Sequence, residues 1–301
     1  MNNVYVANVY AAPKKNRNVA GIIVKILIIA LLCCFSFAQV FPFYLQLVRS
    51  FQPESYDPLI HFGKLVLWPT TFSIKSYIEA LTVSGNNANF GSGFINTLIV
   101  AGSYTALSMC VVLVVGYVLG KLNFRGKRVI FLVLIATMMV PGEIMLVPNY
   151  YLMVQFKMYN SHAALIFPGL VNIFGIFLVR QYMNTIPDSL SEAARIDGAG
   201  QFRIIFRIIL PLTLPILGTY CILTFIALWN DFLWPMIMLR TDTKWTLQLV
   251  LQQWAPTHSA NPEWNQTIRY AGLMLTIIPV LIVYIIFQRQ FIDGISISGI
   301  K

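Results

Sequence analysis

The chain has 301 residues, of which 57% are hydrophobic and 11% are charged, and its mean hydropathy is +0.71. Soluble globular domains carry about 25% charged residues, so this composition excludes an ordinary soluble domain and predicts a membrane protein. The formal net charge of +10 comes from residues in short segments between apolar runs, which argues against a nucleic-acid-binding patch. The cysteines lie inside apolar runs without C-x-x-C spacing and the histidines are scattered, so no redox or metal site is predicted.

Several apolar stretches are long enough to cross a bilayer as helices, which takes about 17 to 25 residues per span. We therefore predict an all-α, polytopic protein with one membrane domain and six spans. The predicted spans are 20–43, 94–119, 129–151, 163–182, 212–233 and 271–287. Between them, 1–19 is predicted to be a cytoplasmic segment, and 44–93 and 234–270 to be external loops. Prolines and Ser/Thr/Asn clusters in both loops predict folded caps with turns.

The first apolar run has two possible interpretations. Lys14, Lys15 and Arg17 form a basic flank, and "SFA" at Ser36 to Ala38 is similar to a signal-peptide cleavage site. However, the apolar run continues as "QVFPFYLQLV" and is long enough to span the bilayer. We therefore expect an uncleaved first span.

The distribution of lysine and arginine predicts the orientation, because cytoplasmic loops are enriched in these residues. One side collects Lys14, Lys15, Arg17, Lys121, Arg125, Lys127, Arg128, Arg195, Arg203, Arg207, Arg289 and Lys301. The cations of the other side are spread over much longer loops. Both termini are therefore predicted to be cytoplasmic.

The segment 187–211 is a polar break between the fourth and fifth predicted spans. Pro187 suits the first turn of a helix, and Gly198 is placed to end that helix in a left-handed cap. A second helix is predicted from about Gly200 and is expected to end at Pro211. Its apolar stripe is predicted to be Phe202, Ile205, Phe206 and Ile209, beside a basic stripe of Arg203 and Arg207. Periodicity leaves two alternatives, a surface helix resting on lipid or a hairpin that receives another protein.

A specific motif lies within this hairpin. Glu192, Ala193 and Ala194 are followed after three residues by Gly198, and nine residues later by "IxLP", which ends at Leu210 and Pro211. This pattern resembles the EAA loop of permeases of binding-protein-dependent ABC importers. Three further stretches, "WNDFLWP", "FGIFLVRQYMNTIP" and "WPTTFSIKSY", are similar to the carbohydrate-uptake branch of that family, in particular to second permease subunits of the maltose-transporter type.

The resemblance implies a role for the hairpin and a set of partners. The predicted ATPase-coupling residues are Glu192, Ala193, Ala194, Gly198, Arg203, Arg207, Leu210 and Pro211. No G-x-x-x-x-G-K-[ST] pattern occurs, so we expect a non-catalytic subunit without a cofactor, with ATP and Mg bound by a partner ATPase. The implied partners are a homologous permease, two copies of an ABC ATPase and an extracytoplasmic sugar-binding protein. The expected location is the bacterial cytoplasmic membrane, in contact with its lipid.

Polar residues within the predicted spans are candidates for a substrate path, because burying such groups in lipid is costly. The candidates are Glu143, Asn172, Trp229, Asn230 and Asp231, which offer the hydrogen-bonding groups and aromatic face that suit a sugar. Three of these candidates also have a purely structural interpretation. Glu143 follows Pro141-Gly142 and is equally suited to satisfying freed backbone groups, Asn172 to an interhelical hydrogen bond, and Asp231 to capping the outer surface.

Three other functions remain as alternatives. A permease of the same architecture would serve a polyamine, a peptide or an ion such as phosphate, although the aromatic, weakly charged interior favours a neutral substrate. An ion-coupled secondary transporter is expected to show internal repeats and charged relay groups, of which only Glu143 is a candidate. A membrane enzyme is expected to show a catalytic cluster, and none is evident in the sequence.

Overall fold

The computed structural model describes residues 19–52, 67–69, 71–82, 84–85, 88–253 and 262–299. Most of the predicted cytoplasmic segment 1–19 lies outside these residues, as do 53–66 of the first external loop and 254–261 of the second. The helices of the described part are α1 Val19–Ser50, α2 Lys75–Thr82, α3 Phe90–Lys121, α4 Lys127–Thr137, α5 Leu146–Gln155, α6 Ala163–Ile166, α7 Ile173–Met183, α8 Ser189–Ile196, α9 Gln201–Ile204, α10 Leu210–Trp229, α11 Leu233–Met238, α12 Leu247–Gln253 and α13 Pro262–Gly299. Strands β1 Ser84–Gly85 and β2 Ala88–Asn89 form a short antiparallel ladder.

Four uninterrupted helical runs of the described part are long and apolar enough to cross a membrane, namely Gly21–Ser50, Phe90–Lys121, Gln201–Trp229 and Thr267–Gln290. Two bent helix pairs also pass this test, which gives up to six spans if each pair crosses as one. The all-helical membrane architecture predicted from composition is therefore found. Asn89 caps α3 through a reciprocal pair of hydrogen bonds with Ser92, so this long helix begins well before 94.

The third and fourth predicted spans are not single straight helices. The segments Lys127–Thr137 and Gly142–Gln155 meet at 92°, and Ala163–Gly169 and Ile173–Met183 meet at 43°. Pro141-Gly142 lies at the first break, and Pro168-Gly169 lies directly before the second, at the end of Ala163–Gly169. Proline removes a helical hydrogen bond and clashes with the preceding turn, and this is the physical reason for both breaks.

Side chains of neighbouring helices compensate the break in the fourth span. Pro168 has no N–H to donate to the carbonyl of Ala164, and the indole Nε1 of Trp234 donates to that carbonyl instead, at 3.0 Å. From α3, Tyr104 donates to the carbonyl of Gly169 at 2.5 Å, and Ser108 to that of Leu170 at 3.0 Å. Freed carbonyls in an apolar environment need such partners, so neighbouring helices stabilise the break.

The fifth span shows a further difference from the prediction. A helix end was expected at Pro211, but Gln201–Trp229 is one continuous helical run in which a π-helical segment, Ile205–Ile209, joins α9 to α10. The wide π turn directly precedes Leu210 and Pro211, and it gives the proline ring room that a regular α turn would deny. The second arm of the polar break and the fifth span are therefore one continuous helical run.

Close helix packing centres on α3, α7 and α10. A Cβ placed on Gly116 would lie 2.6 Å from Cγ1 of Val179, and one on Gly120 would lie 2.7 Å from Cβ of Met183. The two glycines are four residues apart and therefore share one face of α3, which lets α7 approach closely. In contrast to this packed centre, α1 is exposed over 21–40, as expected of a lipid-facing or partner-facing helix.

Candidate coupling hairpin and substrate path

The candidate coupling hairpin was predicted over 187–211, and within these bounds the structure has α8, the turn 197–200 and α9. Its entry is fixed to the end of α3, where the ammonium of Lys121 donates to the carboxylate of Asp188 at 2.6 Å and also to the carbonyl of Ile186. The Lys121 side chain is only 6% exposed, whereas Asp188 is largely solvated. The hydrogen bond and charge of Lys121 lower the pKa of Asp188, and the charges of Lys127 and Arg195 act in the same direction. Helix α8 therefore begins at a position anchored to a membrane-spanning helix.

The turn of the hairpin is a Schellman motif. The N–H of Gly198 donates to the carbonyl of Arg195 at 3.0 Å, and the N–H of Ala199 donates to that of Ala194 at 2.9 Å. Gly198 has φ +79°, a left-handed conformation that strains any residue with a Cβ. The glycine of the motif is thus required by the backbone of this turn.

The two faces of α8 have different environments. Ser191 and Ala194 are buried against the bundle at 5% and 8% exposure. Glu192 and Ala193 are exposed, and the side chain of Ile196 is 86% exposed. Of the three EAA residues, two therefore lie on the outward face, and Ala194 packs inward as part of the core.

The second arm is anchored by Tyr117, whose hydroxyl donates to Oε1 of Gln201 at 3.0 Å. Ile204, Ile205 and Ile209 of this arm are buried. The predicted apolar stripe was therefore only partly right, since Phe202 is 76% exposed and Phe206 is 44% exposed. The segment has two apolar faces, and periodicity cannot tell which of them meets the core.

The outward face of the hairpin therefore combines apolar and charged groups. Ile196 and Phe202 are large exposed apolar side chains on either side of the turn, and Glu192 is exposed one helical turn before Ile196. Arg203 and Arg207 are exposed on the second arm. The remaining predicted coupling residues lie at its junction with α10, where Leu210 is half-buried and Pro211 is exposed. Exposed large apolar side chains together with charged ones on one hairpin are typical of a protein-binding surface.

The five candidate path residues are not brought together into one site. Asn172 caps α7 at the break in the fourth span, and its Oδ1 accepts from the N–H of Gly175 at 2.8 Å. Glu143 lies at the 92° break of the third span, on the short 3-10 helix Gly142–Met145, and is exposed. Among the described residues, no hydrogen bond or ion pair is formed by the Glu143 carboxylate. Of the five candidates, Glu143 is therefore the one whose carboxylate is most available to bind a substrate.

The other three candidates cluster where α10 ends. Trp229 is 1% exposed, and its indole donates to the carbonyl of Thr276 in α13 at 3.1 Å. Nδ2 of Asn230 donates to the carbonyl of Ile226 at 2.9 Å, and Oδ1 of Asp231 accepts from the N–H of Trp234 at 3.4 Å. In this chain these residues close one helix and open the next, so their visible bonds are structural.

Sequence reasoning missed several residues that position the hairpin and the broken span. Lys121 was counted only as a cytoplasmic charge, and Tyr117 and Gln201 were not singled out. No periodic signal would have found them, because each acts across more than 60 residues of sequence. Within the described residues no group of three or more His, Cys, Asp or Glu side chains is arranged to hold a metal ion.

Comparison with known proteins is consistent with this architecture. Residues 112–296 match the family described as binding-protein-dependent transport system inner membrane component. The arabinooligosaccharides transport system permease protein AraQ of Halalkalibacterium halodurans is 33% identical over 267 residues, covering 88% of this chain and 92% of that protein. The sn-glycerol-3-phosphate transport system permease protein UgpE of Yersinia pestis bv. Antiqua is 30% identical over 231 residues, covering 77% and 82%.

A solved structure extends the likeness to the whole fold. One chain of the crystal structure of a bacterial ABC transporter involved in the import of the acidic polysaccharide alginate superimposes with a TM-score of 0.80 at 26% identity. The match covers 93% of this chain and 100% of that one. The fold, the apolar helices and the matched segment together establish that the chain belongs to the family of binding-protein-dependent transport system inner membrane components, the multi-pass permeases of ABC importers.

Proposed function

We propose that this chain is one of two permease subunits of an ATP-driven importer for a sugar or an oligosaccharide. The second subunit would be a homologous permease, and two copies of an ABC ATPase would bind beneath them. An extracytoplasmic binding protein would deliver the substrate. The relatives named for arabinooligosaccharides, sn-glycerol-3-phosphate and alginate support a substrate rich in hydroxyl groups. Family membership argues against an ion-coupled transporter and against an enzyme.

The observation that carries the proposed mechanism is that the hairpin has an outward face and is continuous with the helix of the fifth span. Glu192, Ala193, Ile196 and Phe202 are exposed on the side predicted to be cytoplasmic. The helical run from Gln201 to Trp229 connects this face directly to the opposite end of the bundle. A displacement of the hairpin by a partner would therefore be transmitted as a rigid-body tilt of the fifth span. ATP and Mg would be bound by the partner ATPase and would close it against this face.

Within this mechanism, Glu143 is the strongest proposed substrate contact. It lies where the third span bends, and proline-containing breaks of membrane helices commonly line a cavity. Its exposed carboxylate would accept hydrogen bonds from sugar hydroxyls. Asn172, Trp229, Asn230 and Asp231 would shape the path by holding the helix ends that surround it.

A transport assay tests the proposed function. The complete transporter is reconstituted in vesicles with ATP inside and the binding protein outside, and uptake of labelled sugars and of a labelled polyamine is measured. We expect uptake of at least one sugar that requires both ATP and the binding protein and persists when ion gradients are dissipated. Uptake driven by an ion gradient, or uptake of the polyamine with no sugar transported, would overturn the proposal.

A further inference from the structure

A cavity of about 600 Å³ lies beside the start of α4, near the end of α3 that anchors the hairpin. Its walls combine two kinds of side chain. Lys127, Arg128 and Arg180 supply cations, and Phe124, Phe131 and Leu132 supply apolar surface. None of these residues takes part in the coupling or substrate contacts described above.

The start of α4 carries an excess of positive charge. The first turn of this helix contains no acidic residue, and its N-cap, Gly126, makes no side-chain capping bond. The positive end of a helix dipole normally favours an anion, yet Lys127 and Arg128 lie in this turn. Among the described residues, neither of them nor Arg180 forms an ion pair, and the nearby carboxylate of Asp188 is already bound by Lys121. Asp188 acts on Lys127 only through its charge, so three cations line the cavity and none of them has an ion-pair partner within the described part of the chain.

Arg180 also lacks a hydrogen-bond partner for one of its guanidinium nitrogens among the described residues. Its guanidinium carbon lies 3.7 Å from the centroid of the Phe131 ring, which fixes the plane of the guanidinium. Nε of Arg180 is shielded from solvent, and no hydrogen-bond partner for it is found among the described residues. Lys127 donates to the carbonyl of Gly120 at 3.0 Å, which uses one of its three N–H donors. A phosphate oxygen in the cavity would accept charge-assisted hydrogen bonds from the remaining donors of Lys127 and from the terminal nitrogens of the Arg180 guanidinium, whereas the shielded Nε is out of its reach.

The surface next to the cavity is apolar. Val129 and Leu132 line the cavity and are 64% and 56% exposed, and Ile130 and Val133 on the same helix are 47% and 57% exposed. A small hydrophilic anion would gain nothing from these side chains. A ligand with an anionic head and hydrocarbon chains would match both parts of the site.

We propose that this cavity binds the phosphodiester headgroup of an anionic phospholipid. Arg180, Lys127 and Arg128 would hold the phosphate, and the acyl chains would lie along Val129 and Leu132. The predicted orientation places the cavity at the cytoplasmic leaflet, whose surface attracts basic segments at a bilayer boundary. Bound lipid would neutralise the start of α4 and so support the loop that links α3 to the third span.

Native mass spectrometry of the complete transporter, titrated with phosphatidylglycerol, tests the proposal. A basic residue that interacts with an anionic headgroup is worth about 1 kcal/mol, so each charge lost from the cavity lining is expected to weaken binding of the first lipid by about fivefold. We expect Arg180→Gln and Lys127→Gln to weaken the first bound phosphatidylglycerol by about that factor each. Arg128→Gln removes an exposed cation of the same cavity and provides a third variant if a more buried substitution prevents folding.

Arg289→Gln is the matched control, because Arg289 is an exposed cation predicted to face the same leaflet from α13. It is expected to bind phosphatidylglycerol as the unaltered chain does. Equal binding by Arg289→Gln and by all three cavity variants would overturn the proposal. Inorganic phosphate displacing the lipid at equal concentration would overturn the assignment to lipid in favour of a free phosphate site.

Discussion

Asp188 and Lys121 illustrate how single side chains hold the hairpin to the bundle. Because folding lowers the pKa of Asp188, the folded chain holds its carboxylate in the ionised form more strongly than the unfolded chain does. The resulting stabilisation is fully present above the ordinary value of 3.8 and is lost as the pH falls through the lower folded value. The strength with which this ion pair holds α8 to α3 therefore depends on pH.

This ion pair predicts a pH-dependent effect of Asp188→Asn. At pH 7 the variant is expected to have a lower Tm than the unaltered chain, because Lys121 keeps the carbonyl of Ile186 but loses the carboxylate. The difference is expected to shrink as the pH falls below 3.8 and the native carboxylate is protonated. Thermal unfolding followed by tryptophan fluorescence across this range checks it. A Tm difference that is constant with pH would show that the charge of Asp188 is not the cause.

Residue roles could be predicted from the sequence only where they form a local pattern. The Glu192 to Gly198 spacing indicated a helix and a left-handed turn, and both are present because they depend on neighbouring residues alone. Asn172 and Trp229 were interpreted from their chemistry in an apolar stretch. Their actual bonds, to Gly175 and to Thr276, depend on a helix break and on a distant helix. The second kind of information is tertiary and has no local signature.

At the scale of elements, the approach of α3 to α7 depends on two glycines. Gly116→Ala is expected to destabilise the chain by about 1–3 kcal/mol, because the added Cβ would meet Val179 at 2.6 Å. Gly102→Ala in the same helix is the matched control, since nothing lies within 4 Å of a Cβ there. Alanine in a helix interior is favoured over glycine by roughly 0.5–1 kcal/mol, so the control should unfold no more easily than the unaltered chain. Equal Tm values for both variants would contradict the packing described for α3.

The apolar runs indicated where long helices lie, but neither their full length nor their continuity: the predicted span 271–287 lies inside the longer helix Pro262–Gly299. Pro141, Pro168 and Pro211 have the same covalent constraint, yet the first two lie at breaks and the third lies inside a continuous helix. The difference comes from the surroundings. A π turn accommodates Pro211. At the break after Pro168, by contrast, Trp234, Tyr104 and Ser108 donate hydrogen bonds to carbonyls that the helix leaves without a partner. Such compensation cannot be inferred from the position of a proline alone.

At the scale of the whole molecule, one continuous helical run links the two ends of the bundle. The run Gln201–Trp229 begins at the outward face of the hairpin and ends where Trp229 is held by Thr276 of α13. Its first turns are held in the core by the buried Ile204, Ile205 and Ile209, and its first residue, Gln201, accepts a hydrogen bond from Tyr117. Motion imposed on the hairpin would therefore act on the fifth span through a helix that has no break in its chain of residues. This arrangement is the physical basis of the proposed coupling.

The measurement that tests this central claim most directly is ATPase coupling in hairpin variants of the complete transporter. Gly198→Ala strains a turn with φ +79° by about 1–2 kcal/mol, whereas Gly200→Ala adds the same methyl group two residues later, at φ −70° and in open space. Glu192→Gln removes the exposed carboxylate, and Asp242→Asn is a matched neutralisation on the predicted external side. ATPase co-purification and substrate-stimulated ATP hydrolysis are measured for all four.

We predict that Gly198→Ala and Glu192→Gln lose ATPase association or substrate stimulation, while Gly200→Ala and Asp242→Asn keep both. Full retention of both properties in Gly198→Ala and Glu192→Gln would contradict the account, because the hairpin would then be a surface helix that does not transmit ATP-driven motion.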